Sequence, residues 1–277
     1  MTAHGSNGAR CGAYPSRSSV LEELFSLSGR VALVTGGNGG LGRAMALGLR
    51  GAGGRVVVAG RDPTKNSQIA AELGAEGAAL TVDVRSEDSV ADAVSSVLNR
   101  FGQLDILVNN AGVAQWNGLV TEMPRTEWDA VMETNLTGAF LCAKHAARAM
   151  IGGGRGGKII NIASIYACYG PPDFAHYPSA KAGLLGLTRA LAVELAPYAI
   201  QVNAILPGWF ATAMTGDLPH TALGDQIRRK TPAGRWGEPS DLVGTAVFLA
   251  ARASDFVTGA QIAVDGGYLV ADRFRES

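Results

Sequence analysis

No charge of one sign prevails in this sequence: 24 Lys+Arg stand against 24 Asp+Glu, a formal net charge of +0. Proteins that hold nucleic acid or an anionic membrane by bulk charge need a clustered basic excess, so neither partner is expected. Charged residues are few, 17% of 277, while the apolar set reaches 47%; disordered chains show the opposite balance. No apolar run approaches the roughly 18 residues that cross a bilayer. The amino-terminal stretch also lacks the apolar run of about 7–15 residues that a secretory signal needs. Cysteine is scarce. Cys11, Cys142 and Cys168 are odd in number and lack ligand spacing, so they read as reduced thiols of a cytoplasmic protein without bound metal.

Glycine is abundant, with 37 residues. They follow no collagen period, so they mark turns and close backbone approaches. Residues 1–20 show no periodicity, and residues 1–27 are read as a flexible tail. Short apolar runs then alternate with helical stretches. The runs are VALVT (31–35), RVVVAG (55–60), ALTVDV (79–84), DILVNNAG (105–112), KIINIAS (158–164), QVNAILPG (201–208) and AQIAVDGG (260–267). The helical stretches are 43–51, 64–73, 87–101, 126–150, 178–195 and 239–251. Strands buried on both faces read as unbroken Val/Ile/Leu runs, and alternation with helices implies right-handed βαβ crossovers. No break is long or polar enough for a linker. The expectation is therefore an α/β chain with one domain at 28–277: a doubly wound, seven-stranded parallel sheet with helices on both faces. The stretch 208–237, rich in Trp, Pro and polar residues, departs from this rhythm and is read as a substrate lid.

TGGNGGLG at 35–42 follows the first run and opens the first helix. It contains GxGxxG (Gly37, Gly39, Gly42) and the wider TGxxxGxG (Thr35, Gly36, Gly40, Gly42). Glycines let a backbone approach a pyrophosphate, and the helix amino terminus offers free N–H groups. This is the nucleotide end of a Rossmann fold. Asn38 and Leu41 lie in the same loop. About 20 residues on, such a site reads the adenosine ribose, commonly with a carboxylate for NAD. Here Gly60-Arg61-Asp62 occupies that place. Arg61 can pair a 2′-phosphate, which favours NADP(H). Asp62 could instead swing in, and Asn38 and Gly39 bring no second cation to the loop, so NAD(H) stays open. Asp83 and Val84, ending the third run, are placed at the adenine.

YPSAK at 177–181 sets Tyr177 and Lys181 four residues apart, on one helix face. A phenol ionises near pH 10, and a nearby cation lowers that value. Bringing it to about 7 takes about 4 kcal/mol of differential stabilisation, from Lys181 together with an oxidised nicotinamide ring. Tyr177 is then a general acid near working pH. Ser164 ends the fifth run, where its hydroxyl can hold a carbonyl oxygen.

TGGNGGLG, Asp83, NNAG (109–112), Asn135 in ETNLTGAF, Ser164, YPSAK and Pro207-Gly208 with Thr212 form an ordered set. In it the chain resembles the short-chain dehydrogenases/reductases over about residues 28–270. The resemblance implies an Asn135-Ser164-Tyr177-Lys181 tetrad. Ser164 orients the substrate, Tyr177 transfers the proton, Lys181 lowers its pKa and binds the ribose, and Asn135 holds a water. It also implies that Asn109, Asn110, Ala111 and Gly112 line the cofactor site, with Pro207, Gly208 and Thr212 at the carboxamide or pyrophosphate, and that the protein is a homotetramer. The small residues of the long helices (Ala143, Ala146, Ala147, Ala182, Gly183, Gly186) are expected to meet other subunits.

Within the family, LFSLSGRVALVTGG (24–37) and the stretch 232–269 are similar to 2-deoxy-D-gluconate 3-dehydrogenases and gluconate 5-dehydrogenases. The expected activity is hydride transfer between NAD(P) and a secondary alcohol or ketone, including sugars and sugar acids. The alternatives are a 3-oxoacyl-thioester reductase and a dinucleotide-binding regulator without turnover. Trp116, Trp209, Phe210 and Met214 are the expected pocket walls, and Arg228, Arg229 and Lys230 could serve either an acid substrate or an acyl carrier. His176 is either a substrate-facing residue or a plain pre-helix one, and His145 is read as packing.

Overall fold

The computed structural model of the protein describes residues 17–114 and 118–272. Each apolar run becomes a strand: β1 (Val31–Thr35), β2 (Arg55–Gly60), β3 (Gly77–Thr81), β4 (Ile106–Asn109), β5 (Gly157–Ile162), β6 (Ile200–Pro207) and β7 (Gln261–Val264). They form one sheet in the order β3-β2-β1-β4-β5-β6-β7, parallel throughout. Successive side chains point to opposite faces. Val31 and Leu33 enter one core layer, and Ala32 and Val34 the other. Because both faces are covered, the strands read as continuous apolar runs.

The first layer is closed by α4 (Glu87–Phe101), α6 (Gly138–Gly153) and α7 (His176–Leu195). The second is closed by α2 (Gly40–Gly51), α3 (Pro63–Leu73) and α9 (Val243–Ala250). Strand order reverses beside β1, between β1 and β4, and a crevice opens there at the carboxyl edge of the sheet. The segment 208–237 rises from that edge. Its stem is held by Gly237 N–H donating to the Trp209 carbonyl (2.8 Å) and Ala211 N–H to the Gly237 carbonyl (2.9 Å). It carries α8 (Ala222–Lys230).

The structure departs from the sequence reading in three places. A helix, α1 (Arg17–Phe25), stands where a flexible tail is expected. Phe25 packs against Phe248, Glu23 pairs with Arg252, and Leu27 is buried with its N–H on the Ala52 carbonyl. The single long helix expected over 126–150 is two. α5 (Arg125–Met132) runs through a widened π-helical turn, Glu133–Thr137, into α6. Lastly, Ala143, Ala146 and Ala147 face the protein's own sheet and are buried in the first layer. Those three are therefore unavailable to another subunit.

Candidate active site

A cavity of about 690 Å³ occupies the crevice. Its floor at one end is the glycine turn. Gly36 has φ +62, and a Cβ there would meet Ala111 Cα at 2.9 Å. A Cβ on Gly42 would collide with the Gly36 carbonyl. The turn is tied to the end of β4 through Thr35, whose hydroxyl accepts from the N–H groups of Asn110 and Ala111, both at 3.0 Å. The Asn110 amide donates to the carbonyls of Thr35 and Gly36, also at 3.0 Å. Glycine flatness and these ties leave the amino end of α2 open to the cavity, which suits an anionic pyrophosphate. Gly36, Asn38, Gly40, Leu41, Gly42, Arg61, Asp83, Val84, Asn110, Ala111, Gly112, Pro207, Gly208 and Thr212 all line this one cavity, as do Ser164, Tyr177 and Lys181. Asn109 lies deeper, donating to Asn161 (2.9 Å) and to the Ala139 carbonyl (3.1 Å), so it joins β4 to β5 and α6.

At the end of β2 the geometry is specific. A Cβ on Gly60 would strike the Asn38 amide and come within 2.8 Å of Asn66 Oδ1. Asn38 donates to Asn66 (2.8 Å), and Asn66 donates to the carbonyls of Gly60 (2.9 Å) and Leu80 (3.1 Å). Two amides thus fill the place of a side chain at position 60. The Asp62 carboxylate caps α3, accepting from the N–H groups of Thr64 (2.9 Å) and Lys65 (3.1 Å). It is engaged in starting a helix and is not swung toward the cavity. Lys65 lines the cavity with Arg61. Lys65 was missed in the sequence because a lysine in the first turn of a polar helix looks like solvated surface. Its position four residues after Arg61 was the only signal. Asp83 also lines the cavity, and the Arg85 guanidinium bound to it (2.6 and 3.0 Å) holds its carboxyl below the usual range.

At the other end, Tyr177 and Lys181 enter from the first turns of α7. Ser164, 8% exposed, follows β5 and accepts from the Tyr166 N–H at 3.1 Å. Lys181 is 4% exposed, donates to the Ile162 carbonyl at 2.7 Å, and lies 5.6 Å from the Tyr177 ring centre. Burial pushes the Tyr177 phenol up to about 12, with a hydrogen bond from Ser164 pulling the other way. Burial pushes Lys181 down to about 8. Within the chain itself burial therefore holds the Tyr177 phenol above its ordinary value, opposite to the lowering expected from Lys181 together with an oxidised nicotinamide ring.

Asn135 sits in the π-helical turn and is 1% exposed, behind the cavity wall. Its Oδ1 accepts from Val113 N–H (2.8 Å), and its Nδ2 donates to the Val113 carbonyl (2.9 Å). The side chain clamps the strand-end segment. Gly112 separates it from Lys181: a Cβ there would lie 3.2 Å from Asn135 Oδ1 and 3.6 Å from Lys181 Nζ. His176 is fully buried outside the cavity lining, and its Nδ1 accepts from the Tyr177 N–H at 2.9 Å. His145 lies 3.1 Å from Glu87. Of the expected walls, Trp209, Phe210 and Met214 line the cavity. Trp116, like Cys11, lies outside the described residues.

A family model described as enoyl-(acyl carrier protein) reductase matches residues 36–269. The 2-dehydro-3-deoxy-D-gluconate 5-dehydrogenase of Escherichia coli (strain K12) is 44% identical over 252 residues, covering 90% of this chain and 99% of the relative. The chain belongs to the short-chain dehydrogenase/reductase family. It is an NAD(P)-dependent oxidoreductase acting on an alcohol or carbonyl group. A crystal structure of a gluconate 5-dehydrogenase from Burkholderia cenocepacia J2315 in complex with NADP and tartrate is similar to it. That chain is 38% identical, with a TM-score of 0.86, covering 91% of this chain and 99% of that one. The 3-oxoacyl-[acyl-carrier-protein] reductase of Synechocystis sp. is also 38% identical, over 89% of this chain and all of the relative.

Proposed function

We propose that this dehydrogenase interconverts a secondary alcohol and a ketone with NADP(H), using Tyr177, Ser164 and Lys181 as its chemical groups. One observation carries the reading: the phenol, hydroxyl and amine converge at one end of a cavity whose other end is the glycine turn. The nicotinamide, when bound, supplies the hydride chemistry. In reduction Tyr177 gives its phenolic proton to the carbonyl oxygen, and in oxidation it takes the alcohol proton back. A phenol held high by burial keeps its proton at neutral pH, as the acid role needs. Ser164 fixes the same oxygen beside the phenol. Lys181 stands at the ribose side, and Asn135 acts through Val113 to hold the wall.

The choice of NADP(H) over NAD(H) is supported by Arg61 and Lys65 lining one cavity wall, by the amide-filled position at Gly60, and by the capping role of Asp62. NADP is also bound in the Burkholderia neighbour. Replacing Arg61 with Ala, or Lys65 with Met, should weaken NADPH binding about tenfold or more through loss of a charge-assisted contact, with NADH little changed. Equal losses for both cofactors, measured by fluorescence titration, would refute the assignment. Substrate screening begins with gluconate and its keto and deoxy derivatives, which the relatives' names carry, and with 3-oxoacyl thioesters as the second panel. Both panels keep Tyr177 and Lys181 in use, whereas a regulator without turnover would not need them. We also propose a cytoplasmic homotetramer. Cys142 and Cys168 are free thiols, and Phe140, Ile151 and Val193 are apolar side chains exposed on α6 and α7.

A further inference from the structure

The wall facing the reacting end is aromatic and aliphatic. Phe174 stacks on Tyr177 with ring centres 5.2 Å apart. Tyr166 meets Tyr177 edge-on at 6.3 Å and Trp209 at 5.7 Å. Met214, Leu218 and Leu223 continue this wall from the lid. Among the described residues, the cations near the site are placed elsewhere. Arg61 and Lys65 belong with the glycine turn and the end of β2, and Lys181 is bound to the Ile162 carbonyl. On α8, Arg228 pairs with Asp225 at 2.8 Å, and Lys230 lies over the Tyr268 ring at 4.2 Å. None of Arg228, Arg229 and Lys230 is among the described residues that line the cavity. Residues 115–117, outside the described residues, are Gln, Trp and Asn, all neutral by sequence.

A carboxylate taken out of water needs a cation or several strong donors, and this wall supplies no cation and only the neutral Tyr166 hydroxyl and Trp209 indole N–H. An apolar or aromatic group is favoured by the same wall through area burial and ring contacts. We infer that the substrate is an uncharged ketone or secondary alcohol with an apolar or aromatic flank, held by Tyr166, Phe174, Trp209 and the lid side chains, and that this chain discriminates against the carboxylate-bearing sugar acids of its relatives. This rests on the hydride-transfer reading above and narrows its substrate.

The test uses the full-length protein with NADPH and a matched pair, 4-acetylbenzoate and its methyl ester, in which the charge is remote from the ketone. 5-Keto-D-gluconate is run alongside. The ester should be reduced with kcat/KM about tenfold or more above the acid and above 5-keto-D-gluconate. Equal or better use of either acid would overturn the inference and leave the hydride-transfer reading standing. No turnover of any ketone by protein that binds NADPH would overturn that reading and this inference with it. Met214 is exposed and lines the lid, so Met214→Arg adds a cation without disturbing the core. It should raise kcat/KM for 4-acetylbenzoate and lower the ester-to-acid ratio about tenfold. An unchanged ratio would show that the charge of this wall does not set the preference.

Discussion

Tyr177 and Lys181 share a helix face but respond differently to removal. Tyr177→Phe keeps the ring stacked on Phe174 and removes the proton. Turnover should be abolished while NADPH affinity, read by fluorescence titration, stays nearly unchanged. Retention of more than about a few per cent of activity would move the acid role to another residue. Lys181→Met should damage turnover and cofactor binding together, and shift the remaining oxidative pH profile upward. Lys181 also links stability to pH. Its ammonium is lowered from 10.5 to about 8 in the fold. Between those values the unfolded chain holds a proton that the folded chain has released, so stability rises with pH across the window. The rise is on the order of 3 kcal/mol at most. Tyr177 acts oppositely above pH 10, because its raised value keeps a proton that the unfolded chain loses. Urea unfolding of the wild type and Lys181→Met at pH 8 and 10 separates the two: the wild type should gain on the variant. Parallel pH curves would show that Lys181 is not desolvated as described.

The elements of the sheet were legible because strands buried on both faces must be apolar throughout, and the structure places a strand overlapping each of the seven runs, β3 two residues earlier than its run. The π-helical turn at Glu133–Thr137 was not legible. An extra residue in a helical turn leaves the surrounding 3.6-residue pattern nearly intact, so ETNLT reads as one more turn of helix. Helix α1 was hidden by a composition that resembles a tail, because what orders it is contact with Phe248 and Arg252, distant in sequence. The candidate site was legible at Tyr177, Ser164 and the glycine turn, whose spacing carries their chemistry. The Asn38–Asn66 pair was not, since two amides meeting across separate elements leave no local pattern. Removing Asn135 tests the π turn: Asn135→Ala leaves the Val113 N–H and carbonyl without partners. It should cost about 2 kcal/mol in urea unfolding and reduce turnover by loosening the segment beside Lys181. Unchanged stability would mean that the clamp is not formed.

At the scale of the molecule, a parallel sheet has both faces covered by helices but keeps an edge strand on each side, where another chain can associate. Here β7 is an edge strand whose residues are exposed or only half-buried, and Phe256 and Val270 nearby are fully or largely exposed. Phe140, Ile151 and Val193 on α6 and α7 are exposed too, and the tetramer proposed above would cover both sets of apolar side chains at two kinds of interface. Sedimentation velocity at micromolar protein should give a tetramer, and Val193→Lys with Phe140→Lys should give dimers. A stable monomer for the wild type would refute the assembly.

The amide clasp at the end of β2 bears on how this protein's coenzyme choice can drift over generations. Gly60→Asp, the change that would court the other dinucleotide, collides with Asn38. Trimming Asn38 first strands the Asn66 oxygen it satisfied, and changing Asn66 first removes a donor from the Leu80 and Gly60 carbonyls, the latter keeping the Val82 N–H. Each single step is a loss before the combination can be a gain. The preference is thus entrenched by epistasis, and a laboratory lineage selected for the opposite coenzyme should alter Arg61 and Lys65 and leave position 60 a glycine.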